Sequence, residues 1–185
     1  MFLRLLAVFL LVSVFAQKVV PKATLVTSPL KPRAAHRAAT SALQSQFGGL
    51  HTELTNAQGS LQEAYEKNDA QSVTATFTKL QISFQNLAST CSQTYNQNRE
   101  SPSDFAIDFI KALIEFQSLL PNLKSHPAFL DECTYTFRGT SVSINAVISF
   151  LKAGHVDLKS EVGKHGKKLD LNLFSECGFR INKFS

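Results

Sequence analysis

The chain has 185 residues, 44% of them hydrophobic, and a formal net charge of +5 at pH 7. That length suffices for one domain with a real core. Its charge is unevenly placed: residues 17–39 carry five bases and no acid, residues 40–151 six bases and ten acids (net −4), and residues 152–185 seven bases and four acids (net +3). Such an acidic body lacks the basic stripe with which a folded nucleic-acid binder holds phosphates, so no nucleic-acid partner is expected.

At the N-terminus, Arg4 precedes an apolar run from Leu5 to Val14, broken only by Ser13, and Val14 and Ala16 are small. This is the three-part layout of a secretory signal over residues 1–16, with the exported chain starting at Gln17. The run is too short for a bilayer core, which needs about 20 apolar residues, and no later stretch is longer, so no transmembrane segment is expected. Residues 17–39 hold Lys18, Lys22, Lys31, Arg33 and Arg37, three prolines and no aromatic residue. They read as a disordered basic leader, or as a pro-segment trimmed near Arg33 or Arg37, because they can bury too little to offset their ordering entropy.

From Ala38 the apolar positions Leu43, Phe47, Leu50, Leu54, Ala57, Leu61 and Ala64 step by 4 and 3, one face of a helix. Asn68 and Asp69 break the pattern and can cap a second helix, carried by Val73, Phe77, Leu80, Phe84, Leu87 and Cys91. A third starts near Ser101–Ser103 with Pro102 in its first turn. Its polar face is a single stripe of Asp104, Asp108, Lys111 and Glu115, so it should be the most buried; Pro121 should end it. A fourth opens at Pro127 and steps through Leu130, Cys133, Phe137, Thr140, Ile144, Val147 and Leu151 to Gly154, a candidate C-terminal cap. A hairpin across Thr134–Ile144, turning at Arg138-Gly139, is the rival reading. The spacing favours the helix.

The expected fold is therefore all-α: an up-down-up-down four-helix bundle over residues 40–153, with an irregular segment, residues 154–185, packed on it. Within that segment Val156–Val162 could be a short helix, Leu169, Leu171 and Leu173 alternate as in an extended strand, and Phe174, Phe179, Ile181 and Phe184 should pin the tail down. Three cysteines in an exported chain allow one internal disulfide. Cys91 and Cys133 should sit at opposite poles, so Cys133–Cys177 is expected, with Cys91–Cys177 as the alternative.

No motif for catalysis or metal binding is present: there is no His-x-x-x-His, no Cys-x-x-Cys, no nucleophile elbow and no phosphate loop. No enzyme activity and no cofactor are expected. Lys164, Lys167 and Lys168 form a basic turn that could contact an anionic surface. The unusual feature is fifteen phenylalanines without a tryptophan. Rings at helical spacing usually fill a core. They could instead line an apolar cavity, with Phe77, Phe84, Phe109, Leu113, Phe116 and Phe137 as the candidate lining.

The signal peptide, the basic leader, the helices rich in Gln, Ser, Thr and Ala, and the stretches Val156-Asp157-Leu158 and Leu169-Asp170-Leu171-Asn172-Leu173-Phe174 resemble small secreted helical proteins of filamentous fungi, of the hydrophobic surface-binding and cell-wall mannoprotein type. The resemblance covers residues 40–175 and transfers no site residue; the three cysteines depart from it. It implies a secreted, extracellular or cell-wall protein that binds a lipid or apolar surface without catalysis. The alternative is a secreted interaction module, such as an enzyme inhibitor or effector, whose partner is an extracellular protein.

Overall fold

The computed structural model describes residues 32–97, 103–164, 169–182 and 184. The expected signal peptide, most of the expected leader, and Lys167 and Lys168 lie outside the described residues. Those described form six helices and no strand: α1 (Pro32–Glu66), α2 (Ala70–Gln97), α3 (Ser103–Lys124), α4 (Pro127–Ala153), α5 (Leu158–Lys164) and α6 (Leu171–Glu176). The chain is thus an all-α bundle. Helix α1 begins at Pro32, so the last eight residues of the segment read as a leader are helical. Proline suits a first helical turn, and Ala34, Ala35, Ala38 and Ala39 are the strongest helix formers.

The heptad positions face inward as their spacing requires. Every one named above for α1 and α2, from Leu43 to Cys91, is buried. So are Cys133, Phe137, Thr140, Ile144, Val147 and Leu151 of α4, which runs unbroken through the region where a hairpin was the rival reading. Asp69 caps α2: its Oδ1 accepts from the Ser72 amide (3.0 Å) and its Oδ2 from the Ser72 hydroxyl (2.6 Å). The two Ser72 bonds hold the Asp69 carboxyl below its ordinary value of 3.8. The cap therefore acts above that pH and fades as the pH falls through the depressed value.

Two features of the ends differ from expectation, and one agrees with it. Helix α3 continues one turn past Pro121, because a proline removes only its own N–H and the fully buried Leu123 rewards the extra turn. Gly154 is the C-cap of α4, as its place after Leu151 led one to expect, and the left-handed conformation falls on the next residue, His155 (φ 61). The Leu169–Leu173 stretch is not extended throughout. Asp170 accepts from the amides of Asn172 (2.9 Å) and Leu173 (3.3 Å) and starts α6. Helices α1, α4 and α6 all end alike, with a left-handed residue (Asn68, His155, Gly178) and a following amide returned to the last turn: Asp69 N to Ala64 O, Val156 N to Leu151 O, Phe179 N to Phe174 O.

The direction of the helices alternates along the chain, yet sequential helices are not all neighbours. Phe47 stacks on Phe105 (6.0 Å) and His51 Nδ1 lies 2.8 Å from Glu115 Oε2, so α1 and α3 are parallel and adjacent. Thr74 meets Cys133 and Phe77 meets Phe137, so α2 and α4 are parallel too. Around the bundle the order is α1, α2, α4, α3, with the most extensive packing between α2 and α4 and between α1 and α2.

Small side chains bring α2 and α4 together. Gly139 faces Gln81 of α2, Thr136, Thr140 and Ser143 near it are buried, and the Thr140 and Ser143 hydroxyls donate back to the Thr136 (2.9 Å) and Gly139 (3.3 Å) carbonyls, so burial leaves them satisfied. A Cβ on Gly139 would stand 2.1 Å from Gln81 Nε2. That is the far end of a flexible chain, so Gly139→Ala should displace Gln81, gain about 1 kcal/mol of helix propensity and come out near neutral. Gly139→Leu must spread the helices and should cost about 1–3 kcal/mol. Denaturant midpoints of the two variants check this contrast.

Candidate functional site

The six residues expected to line an apolar site are brought together, and all are at most 1% exposed. Their rings meet one another: Phe77 is 5.1 Å from Phe137 and 6.2 Å from Phe116, and Phe84 is 5.3 Å from Phe116, joining α2 to the diagonal α3. Two further rings, from the C-terminal segment, complete the cluster. Phe174 lies 6.0 Å from Phe116, and Phe179 lies 5.3 Å from Phe116 and 4.4 Å from Phe137. The tail thus wedges between α3 and α4, and where a ligand was considered the chain has placed its own side chains.

The wedge is held by polar contacts that the sequence did not single out. Helix α6 runs along α3: the Asp170 amide donates to Gln117 Oε1 (2.6 Å), and Lys124 Nζ pairs with Glu176 Oε2 (2.7 Å). At Gly178 (φ +88) the chain reverses, in a conformation natural to glycine, and returns along α4. There the Arg180 amide donates to Ser141 Oγ (3.0 Å), Asn145 Nδ2 donates to the Arg180 carbonyl (2.7 Å), and the Asn182 amide donates to Asn145 Oδ1 (2.8 Å). The only sequence sign of this was a polar pair four residues apart beside the α4 heptad.

The expected disulfides are not formed. Cys91, Cys133 and Cys177 are all free and buried, so neither Cys133–Cys177 nor Cys91–Cys177 is bridged. Each packs as a small apolar residue of its own element. Cys133 Sγ lies 3.8 Å from Thr74 Oγ1, and both Cys133 and Cys177 act electrostatically on the Tyr65 phenol. Burial pushes all three thiols up, Cys91 to about 12. Burial, and after it the two thiols, also raises Tyr65, whose hydroxyl is enclosed without a hydrogen-bond partner among the described residues while its ring stacks on His126 (4.9 Å). A thiol reagent at pH 8 should therefore label the native chain slowly, since the thiolate is the nucleophile. In denaturant without reductant it should count three thiols; a count of one would mean a disulfide.

On the surface, Lys164 is paired with Glu161 and so does not stand as a lone cation. Open grooves run between the helices. One of about 380 Å³ between α1 and α3 holds the His51–Glu115 pair beside Gly48 and Ala112. Another of about 370 Å³ between α1 and α2 is lined by Glu53, Ser60, Lys79 and Ile82. Among the described residues, the large apolar side chains left outside are Ile82, Ile107, Tyr135 and Val142, of which Tyr135 (84% exposed) and Val142 (70%) share the outer face of α4. Among the described residues no three His, Cys, Asp or Glu side chains are grouped to hold a metal, and no helix is long and apolar enough to cross a membrane. No protein-family model matches the chain, and no curated protein and no solved structure is significantly similar to it.

Proposed function

We propose that the chain is an exported, non-catalytic binding module that engages an extracellular protein on its outer surface. The observation that carries this reading is the packing of Phe77, Phe84, Phe116 and Phe137 on one another and on Phe174 and Phe179. An internal lipid would have to displace rings that already pack on one another, whereas a partner on the outside displaces only water. The non-catalytic part is supported by the thiols, the strongest nucleophiles present, which are buried and held protonated. Export is supported by Arg4, the Leu5–Val14 run and the small residues Val14 and Ala16.

Native mass spectrometry of material taken from the culture medium tests the export and the choice between an outside partner and an internal lipid. The expected mass starts at Gln17 or later and carries no fatty acid, and a fluorescent fatty-acid probe should not bind. An intact Met1 on exported protein would overturn the export. A lipid held in stoichiometric amount would return the Phe cluster to the role of a ligand site.

A further inference from the structure

We propose that the outer face of α4 is a self-association surface, on which two copies of the chain pair these helices antiparallel about a two-fold axis at Tyr135. The inference goes beyond the binding reading above and does not rest on it: the occupant is a second copy, and the rest of the outer surface stays open to another partner.

Helix α4 carries two stripes at steps of 3 and 4. The inner one, from Cys133 to Leu151, is buried in the bundle. The outer one, Ala128, Asp131, Tyr135, Arg138 and Val142, is exposed throughout, and Tyr135 and Val142 are the most exposed large apolar side chains among the described residues. Steps of this kind make the seam along which one helix packs on another. Elsewhere among the described residues the exposed large apolar side chains stand singly, Ile82 on α2 and Ile107 on α3. Tyrosine and arginine, both present in the seam, are residue types on which the binding energy of interfaces concentrates.

What fits this stripe is its own reverse. Asp131 stands about one turn before Tyr135 and Arg138 about one turn after it, while Ala128 and Val142 stand about two turns before and after. Reversing the helix exchanges the charges at the two ends. In an antiparallel pair each Arg138 therefore meets Asp131 of the second copy on the same side of the seam, each Val142 lies against the small Ala128 of the second copy, and the two Tyr135 rings meet at the axis. A parallel pair would set Asp131 on Asp131 and Arg138 on Arg138 and is repelled. Within one chain the two charges are too far apart to pair, since seven helical residues rise about 10 Å, and neither is held in an ion pair among the described residues. The two-fold arrangement makes every contact occur twice. One helix face per copy buries less than about 1,200 Å², the range of weak and reversible pairs, so the dimer should form at high protein concentration and dissociate on dilution.

Sedimentation equilibrium of the exported chain from about 10 μM to about 1 mM reads the association. The unaltered chain should be monomeric at the low end and largely dimeric at the high end. Arg138→Asp and Asp131→Arg should each abolish the dimer when alone, because like charges then face each other. An equimolar mixture of the two should dimerise again, since each chain supplies the charge that the other lacks. Tyr135→Ala should weaken the association at least about tenfold. All three positions are exposed, so circular dichroism and melting should match the unaltered chain. If Asp131→Arg fails to fold, Val142→Glu decides: it sets a charge in the seam at a site 70% exposed and should abolish the dimer, while unchanged association overturns the proposal. A mixture that associates no better than its components also overturns it, as does a Tyr135→Ala chain that dimerises undiminished, which would put the contact on another face. So does an unaltered chain that stays monomeric at the highest concentration; a foreign protein found on that monomer would then leave the binding reading standing and give the stripe to a different occupant.

Discussion

Phe116→Ala is expected to cost the folded state about 3–5 kcal/mol, the range for a large aromatic removed from a packed core. Phe116 is 1% exposed and its ring has four aromatic neighbours at 5.3–6.2 Å: Phe77, Phe84, Phe174 and Phe179. These come from α2, from α6 and from the segment after Gly178. No single element can move in to close the space, because each is fixed by other contacts, so the cavity should persist and its full cost be felt. For a chain of this size the melting temperature should fall by on the order of 10 °C. Ile107→Ala on the same helix, at a site 36% exposed, is the control and should stay within about 0.5 kcal/mol. Urea unfolding of the two variants gives the comparison. A loss below about 1 kcal/mol at Phe116 would mean that the surroundings relax around the gap, as they would if the rings lined a space built to change its contents.

What the sequence made legible follows from what leaves a period in it. One-sided burial of a helix forces apolar residues to recur at 3 and 4, so Leu43 to Ala64, Val73 to Cys91 and Cys133 to Leu151 could be read directly, together with the joints at Asn68-Asp69 and Pro127. Which helices touch leaves no such period. The α2–α4 contact sets Gly139 beside Gln81, and a glycine amid β-branched residues keeps a hairpin turn as a rival reading, against which only the helical spacing speaks until the partner helix is in place. Gly154 is the cap its position announced, with its amide bonded to Phe150 and Leu151, whereas nothing in the spacing marked His155 as the left-handed residue that follows it. The thiols read as a disulfide framework because cysteines in exported chains usually are one, yet a buried free thiol packs as well as a small apolar residue. The candidate lining shows the same boundary. All six residues offered as lining are buried, but a spacing rule cannot tell a filled interior from a hollow one. The rings that fill it, Phe174 and Phe179, sit on either side of a left-handed glycine, in a stretch without helical repeat.

That dependence on the tail gives the other large effect. A chain ending at residue 168 is expected to lose cooperative unfolding while keeping most of its helical far-ultraviolet signal. The deletion takes away Leu169, Phe174 and Phe179, each at most 8% exposed. At about 1.5–3 kcal/mol for each buried side chain, the loss is roughly 5–9 kcal/mol, as large as the whole stability of many domains. It would be felt unevenly. Helices α1, α2 and α4 keep their extensive mutual packing, whereas α3 loses its contacts with α6, the Lys124–Glu176 pair and the Gln117 bond to Asp170. Phe116 and Phe137 are then left facing water across an open slot. Helical content without fixed side-chain packing is the signature of a molten globule, so the shortened chain should bind a hydrophobic dye and melt broadly. Hydrogen exchange should place the loss, with the amides of α3 released first and those of α2 and α4 last. A sharp transition close to that of the full chain would show that the four helices hold together unaided, and that the tail rests on a finished core instead of completing it.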